Sequence, residues 1–228
     1  LKLICICTTP RSGSELFCRA LREGGLRHVY EIGHPFYRDE LSKQYGAEFS
    51  NASNTTILNH LRSVEPALGH VAVKIFYHEM QEIASTQPLD ECVFIHLERR
   101  DLASQVVSLL AMWATGRAVD LPVNTVPFDT TEPTERNAKI AIAYLRSNRR
   151  AWRNFLSAYP LIGLTTEDII ADPANRFADL SRFLAPHDVP LDAAAASAVV
   201  QASKRYEQDA ALKTQIRDRF KTLLSSLD

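Results

Sequence analysis

Leu3-Ile4-Cys5-Ile6-Cys7 is an unbroken apolar run of the kind that forms a strand buried on both faces. Beyond it Leu16, Phe17, Ala20 and Leu21 recur at helical spacing, so Thr8-Thr9-Pro10-Arg11-Ser12-Gly13-Ser14 joins a buried strand to a helix. Ser12, Gly13 and Ser14 are small enough to let backbone N–H groups converge on an anion. The new helix adds the positive end of its dipole there, and Arg11 adds a fixed positive fork. An ordinary turn, with Ser12 as N-cap and Glu15 closing a capping box, is compatible with the same residues.

The rest of the chain repeats this alternation. Further strands are expected over 29–32, 71–76, 92–97 and 161–165. Helices are expected over 14–22, 38–45, 55–64 (capped by Asn54), 78–84, 101–113, 135–159, 174–184, 192–203 and 209–224. In helix 135–159, Ile140, Ala143, Tyr144, Trp152 and Phe155 are expected inward, and Arg146, Arg149, Arg150 and Arg153 largely outward. Gly33-His34-Pro35-Phe36-Tyr37 reads as irregular. Residues 115–132 lose all period, carry Pro122 and Pro127, and read as a long loop. The pattern implies one domain over 1–228 with a helical C-terminal part from about 174. Its fold class is α/β, a P-loop-like three-layer arrangement with a central parallel sheet of four or five strands and helices on both faces. Strand order is left open. Ligands of such sheets sit beyond the carboxyl ends of the strands, where Arg11, Phe76–His78, Glu98–Asp101 and Thr166–Asp168 all fall.

Composition narrows the partners. A net charge of −1 argues against a nucleic-acid binder, which needs a broad basic surface, so any anion site is local. No apolar run approaches the ~18 residues of a transmembrane segment, and the chain is expected to be soluble and cytoplasmic. Cys5, Cys7, Cys18 and Cys92 form no ligand set, and the seven histidines lack the pairing of a zinc site, so no metal is expected. A homo-oligomer is left open.

A second stretch carries chemistry: Leu97-Glu98-Arg99-Arg100-Asp101, with Gln105 and Ser108 following. Arg100 leaves a strand end and Ser108 lies two helical turns on, so one anion could reach both; alternatively Arg99 and Arg100 pair with Glu98 and Asp101. Together the two stretches resemble the sulfotransferases that use 3′-phosphoadenosine 5′-phosphosulfate (PAPS), which carry a Pro-Arg/Lys-Ser-Gly loop and an Arg with a Ser eight residues later. More particularly, Thr9-Pro10-Arg11-Ser12-Gly13-Ser14 with Cys18, Val73-Lys74-Ile75, and Leu97 to Asp101 with Gln105 and Ser108 are similar to the bacterial trehalose 2-sulfotransferase family. Thr115-Gly116, Trp152, Thr166-Glu167-Asp168 and Arg219-Phe220 extend the likeness over most of the chain.

The resemblance implies sulfuryl transfer from PAPS as co-substrate to a hydroxyl, commonly on a sugar. Arg11, Ser12, Gly13 and Ser14 would hold the 5′-phosphosulfate, and Arg100 and Ser108 the 3′-phosphate, with Lys74 near the transferring group. The loop lacks the Gly-Lys-Ser/Thr ending of phosphate-transferring P-loops, in keeping with transfer without a metal. Relatives place a Glu base two residues after the Pro of a Gly-x-Pro segment, where this chain has Tyr37. Glu31, His34, Asp39 and Glu40 are within reach, and Glu31 or His34 is favoured as the base. Glu15 also departs from the small hydroxyl common there. Trp113, Arg117 and Asp120 flank the expected mouth, and the acceptor is expected to be a small molecule or glycolipid carrying a carbohydrate hydroxyl. The alternatives are a non-catalytic binder of PAPS or its 3′,5′-bisphosphate product, and a nucleotide-dependent phosphotransferase on a related fold.

Overall fold

The computed structural model of the protein describes residues 2–27, 29–64, 69–116, 133–203 and 210–227. The elements run β1 (Lys2–Thr8), α1 (Ser14–Glu23), β2 (Tyr30–Glu31), α2 (Pro35–Tyr45), α3 (Asn54–Val64), β3 (His70–Ile75), α4 (Tyr77–Ala84), β4 (Cys92–Glu98) and α5 (Leu102–Thr115). They continue as α6 (Glu135–Leu156), β5 (Leu161–Thr165), α7 (Thr166–Ala171), α8 (Pro173–Leu184), α9 (Ala193–Ala202), α10 (Ala210–Arg219) and α11 (Lys221–Leu224).

The five strands pair in the order β2-β3-β1-β4-β5, all parallel, with Cys5 opposite Val73 on one side and Phe94 on the other. The expected α/β class with a parallel sheet and helices on both faces is therefore the architecture found. Alternation along β1 decides which layer each side chain joins. Ile4 and Ile6 pack with Phe17, Leu21, Phe177 and Leu180 of α1 and α8, whereas Leu3, Cys5 and Cys7 pack with Ile57, Leu61, Met80 and Trp152 of α3, α4 and α6. Beside them, α5, α6, α10 and α11 close a third apolar cluster around Leu110, Leu145 and Phe220. β1 is central: the crossover that leaves it passes β3 to reach β2, whereas the one that leaves its neighbour β4 runs the opposite way to β5. The carboxyl end of β1 is thus the topological switch point, where the loop 9–13 emerges.

Several local expectations are corrected. Helix α2 starts at Pro35, because proline suits a first helical turn and the His34 ring caps it by accepting the Phe36 N–H at 3.2 Å. The α3 cap falls on Ser53, whose Oγ accepts from Thr56 N at 3.1 Å, while Asn54 binds Glu82. In α6 the buried stripe is Ala138, Ala141, Ile142, Leu145, Trp152 and Leu156, so Ile140, Ala143 and Tyr144 face outward. The helix stops three residues before Tyr159, and the C-terminal helix divides at Phe220. Of the expected long loop, residues 117–132 lie outside the described residues, Arg117 and Asp120 among them.

Candidate functional site

The loop after β1 is built on two left-handed residues, Arg11 (φ 61°) and Gly13 (φ 83°). A left-handed conformation costs an ordinary residue about 1–2 kcal/mol, so Arg11 is held there by its surroundings. Gly13 has no alternative, since a Cβ would lie 2.7 Å from Thr166 Cγ2 and 3.0 Å from Thr166 Oγ1. Gly13 is the N-cap of α1 and provides no side-chain cap. The expected capping box is therefore absent: the buried Ser12 hydroxyl bonds Thr8 Oγ1 at 2.5 Å, and Glu15 accepts from Tyr37 Oη at 3.1 Å and pairs with Arg22 at 3.4 Å. The first-turn N–H groups of α1, which helix geometry leaves without intrahelical acceptors, face the loop.

Other elements lock this loop in place. Arg11 Nε donates to Ser108 Oγ of α5 at 2.9 Å, across 97 residues of sequence. Gln105, wholly buried, donates through Nε2 to Thr9 Oγ1 at 2.8 Å and to Pro10 O at 2.6 Å, while its Oε1 accepts from Arg149 at 2.6 Å. Trp152 Nε1 donates to Thr8 O at 2.9 Å, and the Thr166 hydroxyl donates to Ser12 O. The second motif is shaped by Glu167, whose two oxygens accept from the Arg100 and Asp101 N–H groups at 3.0 and 3.3 Å. Asp101 in turn caps α5 through Ser104 N at 2.7 Å. Arg100 is 61% exposed in its side chain and pairs with Asp168 at 2.9 Å.

On the β2–β3 side of the loop, Lys74 and Glu31 form a buried ion pair at 2.5 Å, with side chains 8% and 14% exposed. Burial pulls the Lys74 ammonium down, but the Glu31 carboxylate, with Glu15 adding to it from further away, outweighs it and the net shift is upward, so the lysine stays charged. Its Nζ also lies 5.4 Å from the centre of the Phe76 ring. Burial lowers His34, against the opposing pull of Glu31, and its Nδ1 already accepts the Phe36 N–H. The neutral ring therefore carries its proton on Nε2. Burial raises the Tyr37 phenol, with the Glu15 carboxylate adding to the effect. Burial pushes the Cys18 thiol up to about 12, so it is inert at neutral pH. Glu79, beside Lys74 and Glu31, is 5% exposed, and burial pushes its carboxyl up to about 7 despite the Phe76 N–H that it accepts.

No protein-family model matches the chain, and no curated protein does. Among solved structures it is similar to the sulfotransferase domain of the Synechococcus PCC 7002 olefin synthase, at 14% identity over 97% of this chain and 94% of that one, with a TM-score of 0.50. The two share a fold.

On this fold, Arg11, Ser12, Gly13, Ser14 and Ser108 come together at the switch point, and Lys74, Glu31 and His34 gather beside β3. Arg100 turns to Asp168 and Ser108 to Arg11, so the two halves of the second motif serve different partners. Trp113 packs partly buried against the apolar cluster of α5 and α6. Sequence reasoning assigned no role to Thr8 or Glu79, named Gln105 and Thr166 only within the resemblance and at the strand ends, and placed Arg149 outward. For Glu79 a signal existed: it stands at the third position of α4, where a carboxylate can accept the N–H preceding the helix. Among the described residues no group of three or more His, Cys, Asp or Glu is arranged to hold a metal ion, and no helix is long and apolar enough to cross a membrane.

Proposed function

We propose that the chain transfers a sulfuryl group from PAPS to a hydroxyl of a carbohydrate or glycolipid. The observation that carries this reading is the Arg11–Ser108 hydrogen bond, which fuses two anion motifs 97 residues apart into one site at the switch point of the fold. Arg11, Ser12, Gly13 and Ser14 hold the 5′ side of the donor. Arg100 and Ser108 hold the 3′-phosphate, Arg100 exchanging Asp168 for it from an exposed position. The acceptor oxygen forms a bond to sulfur as the bond from sulfur to the 5′-phosphate oxygen breaks. Arg11 and Lys74 stabilise the negative charge that collects on that leaving oxygen.

Of the two candidate bases, Glu31 is favoured. His34 has its only basic nitrogen engaged by the Phe36 N–H, whereas Glu31 binds Lys74 through Oε2 and its Oε1 takes no hydrogen bond from the described residues. Glu31 accepts the hydroxyl proton in this scheme, and Tyr37 takes no part in it, being engaged with Glu15. Phe36, Tyr37, Phe76 and Tyr144 are partly exposed around the pair and suit the apolar face of a sugar ring.

The test incubates the protein with sulfur-labelled PAPS and a panel of sugars, beside Glu31→Gln and His34→Asn. Label should pass to a sugar with wild type and with His34→Asn, and fail with Glu31→Gln while product binding persists. At 100 times its dissociation constant, the 3′,5′-bisphosphate should add about 2.7 kcal/mol of stability without metal. Stabilisation by magnesium-ATP alone would refute the proposal.

A further inference from the structure

Glu79 is a buried carboxyl group that the transfer scheme leaves without work. It is 5% exposed, in a structure whose other buried ionisable side chain at this edge, Lys74, has a partner at 2.5 Å. Its Oε2 accepts the Phe76 N–H at 2.7 Å, which fixes the turn leaving β3 just after Lys74. Its Oε1 lies against Gly33, where an added Cβ would stand 1.6 Å from that oxygen, so it fits only because the turn after Glu31 carries glycine. Capping α4 accounts for the first contact and leaves the second without a reason. The same turn is also held by Arg38, whose Nε donates to Ile32 O at 2.9 Å.

We propose that Glu79 is a positioning residue for the Glu31–Lys74 pair: one carboxyl group spans from the turn after Lys74 to the turn after Glu31, sets their spacing, and by its own charge acts on both members of the pair. This rests on the transfer reading given above. The charged and titratable groups that face Glu79 are Glu31 on β2, Lys74 on β3, Arg38 on α2 and Tyr144 on α6. When Glu79 carries a proton, Lys74 answers to Glu31 alone. When Glu79 is ionised, its charge attracts Lys74 and repels Glu31 across the pair, and Glu31 accepts the proton of the acceptor hydroxyl. Burial, with Glu31 adding to it and the Phe76 N–H and Lys74 opposing, puts this change at about 7.

The test compares wild type with Glu79→Gln, which keeps the shape and an acceptor oxygen but has no charge to change, and Glu79→Asp, which is too short to span both turns. Wild-type kcat should rise through about pH 7, and Glu79→Gln should lose that rise while its KM for donor stays within about two-fold. Glu79→Asp should lower kcat by at least about ten-fold, since a small misplacement of reacting groups costs up to about a hundred-fold. A rise that persists in Glu79→Gln overturns the proposal. A second readout is independent of turnover: the nitrogen resonance of the Lys74 ammonium should move through about pH 7 in wild type and stay flat in Glu79→Gln. If wild type transfers nothing and that resonance still follows Glu79, the transfer reading fails and the coupling stands. If the resonance is indifferent to Glu79, the coupling fails whatever the activity.

Discussion

Glu79→Gln should change the stability of the protein in a pH-dependent way. Burial raises the carboxyl from 4.5 to about 7, so between those values the folded chain binds a proton that the unfolded chain has lost. Wild-type stability from this group therefore falls as pH rises through that window, and is fully reduced above about 7. At about 1.4 kcal/mol per pH unit, the interval from 4.5 to about 7 amounts to about 3 kcal/mol. Glutamine does not titrate. The variant should gain about 3 kcal/mol on wild type between pH 4.5 and 8, whatever its offset at the acid end. For a chain of 228 residues that is roughly 6–12 °C of melting temperature. Urea unfolding of both proteins at half-unit steps from pH 4.5 to 8.5 measures it, and taking the difference removes every other titrating group that the two share. A difference constant within about 0.5 kcal/mol across the series would show that Glu79 is ionised throughout, and would refute the reasoning.

Three further outcomes are expected. Gly13→Ala, at φ 83° and facing Thr166 Cγ2 at 2.7 Å, should cost about 2 kcal/mol or more in urea unfolding and weaken 3′,5′-bisphosphate binding; a loss under about 0.5 kcal/mol would mean that the loop can relax. Trp152→Phe keeps most of the packing but removes the donor to Thr8 O at 2.9 Å, so it should destabilise by about 1–3 kcal/mol, and an unchanged denaturation midpoint would assign that carbonyl another donor. Arg100→Ala should weaken bisphosphate binding by roughly 1.5–3 kcal/mol in calorimetry, the range for a charged hydrogen bond, while leaving the melting temperature of the free protein nearly unchanged because the residue is 61% exposed. Unaltered affinity would remove Arg100 from the donor site.

Much of the architecture was legible because it depends on signals that are local in sequence. The run from Leu3 to Cys7, the strand near 92–97 and the helical spacing after Ser14 each show in a window of a few residues, and alternation of strand and helix then implies a parallel sheet covered on both faces. The loop was legible for the same reason, since its small residues and Arg11 stand together. Long helices were harder to orient. In α6 a stripe drawn through Ile140, Ala143 and Tyr144 is about one residue out of phase with the buried one through Ala141, Ile142 and Leu145, because apolar residues occur on both faces of that helix and only its packing decides between them.

What only tertiary structure decided are the partners of groups distant in sequence. The chain alone makes Arg11, Arg100 and Ser108 available as anion ligands. That Ser108 takes Arg11, and Asp168 takes Arg100, depends on the strand order that sets β1 beside β4 and β4 beside β5. Arg149 reads as one of several solvated arginines until α6 crosses the end of β4 and delivers it to Gln105. Glu79 reads as an ordinary residue of an amphipathic helix until Gly33, 46 positions earlier, leaves room for its carboxyl group beside Lys74. Charge and hydrogen-bonding capacity belong to a residue type and travel with the sequence. Desolvation and proximity belong to the fold, and they determine which of those groups holds a proton and which holds another residue.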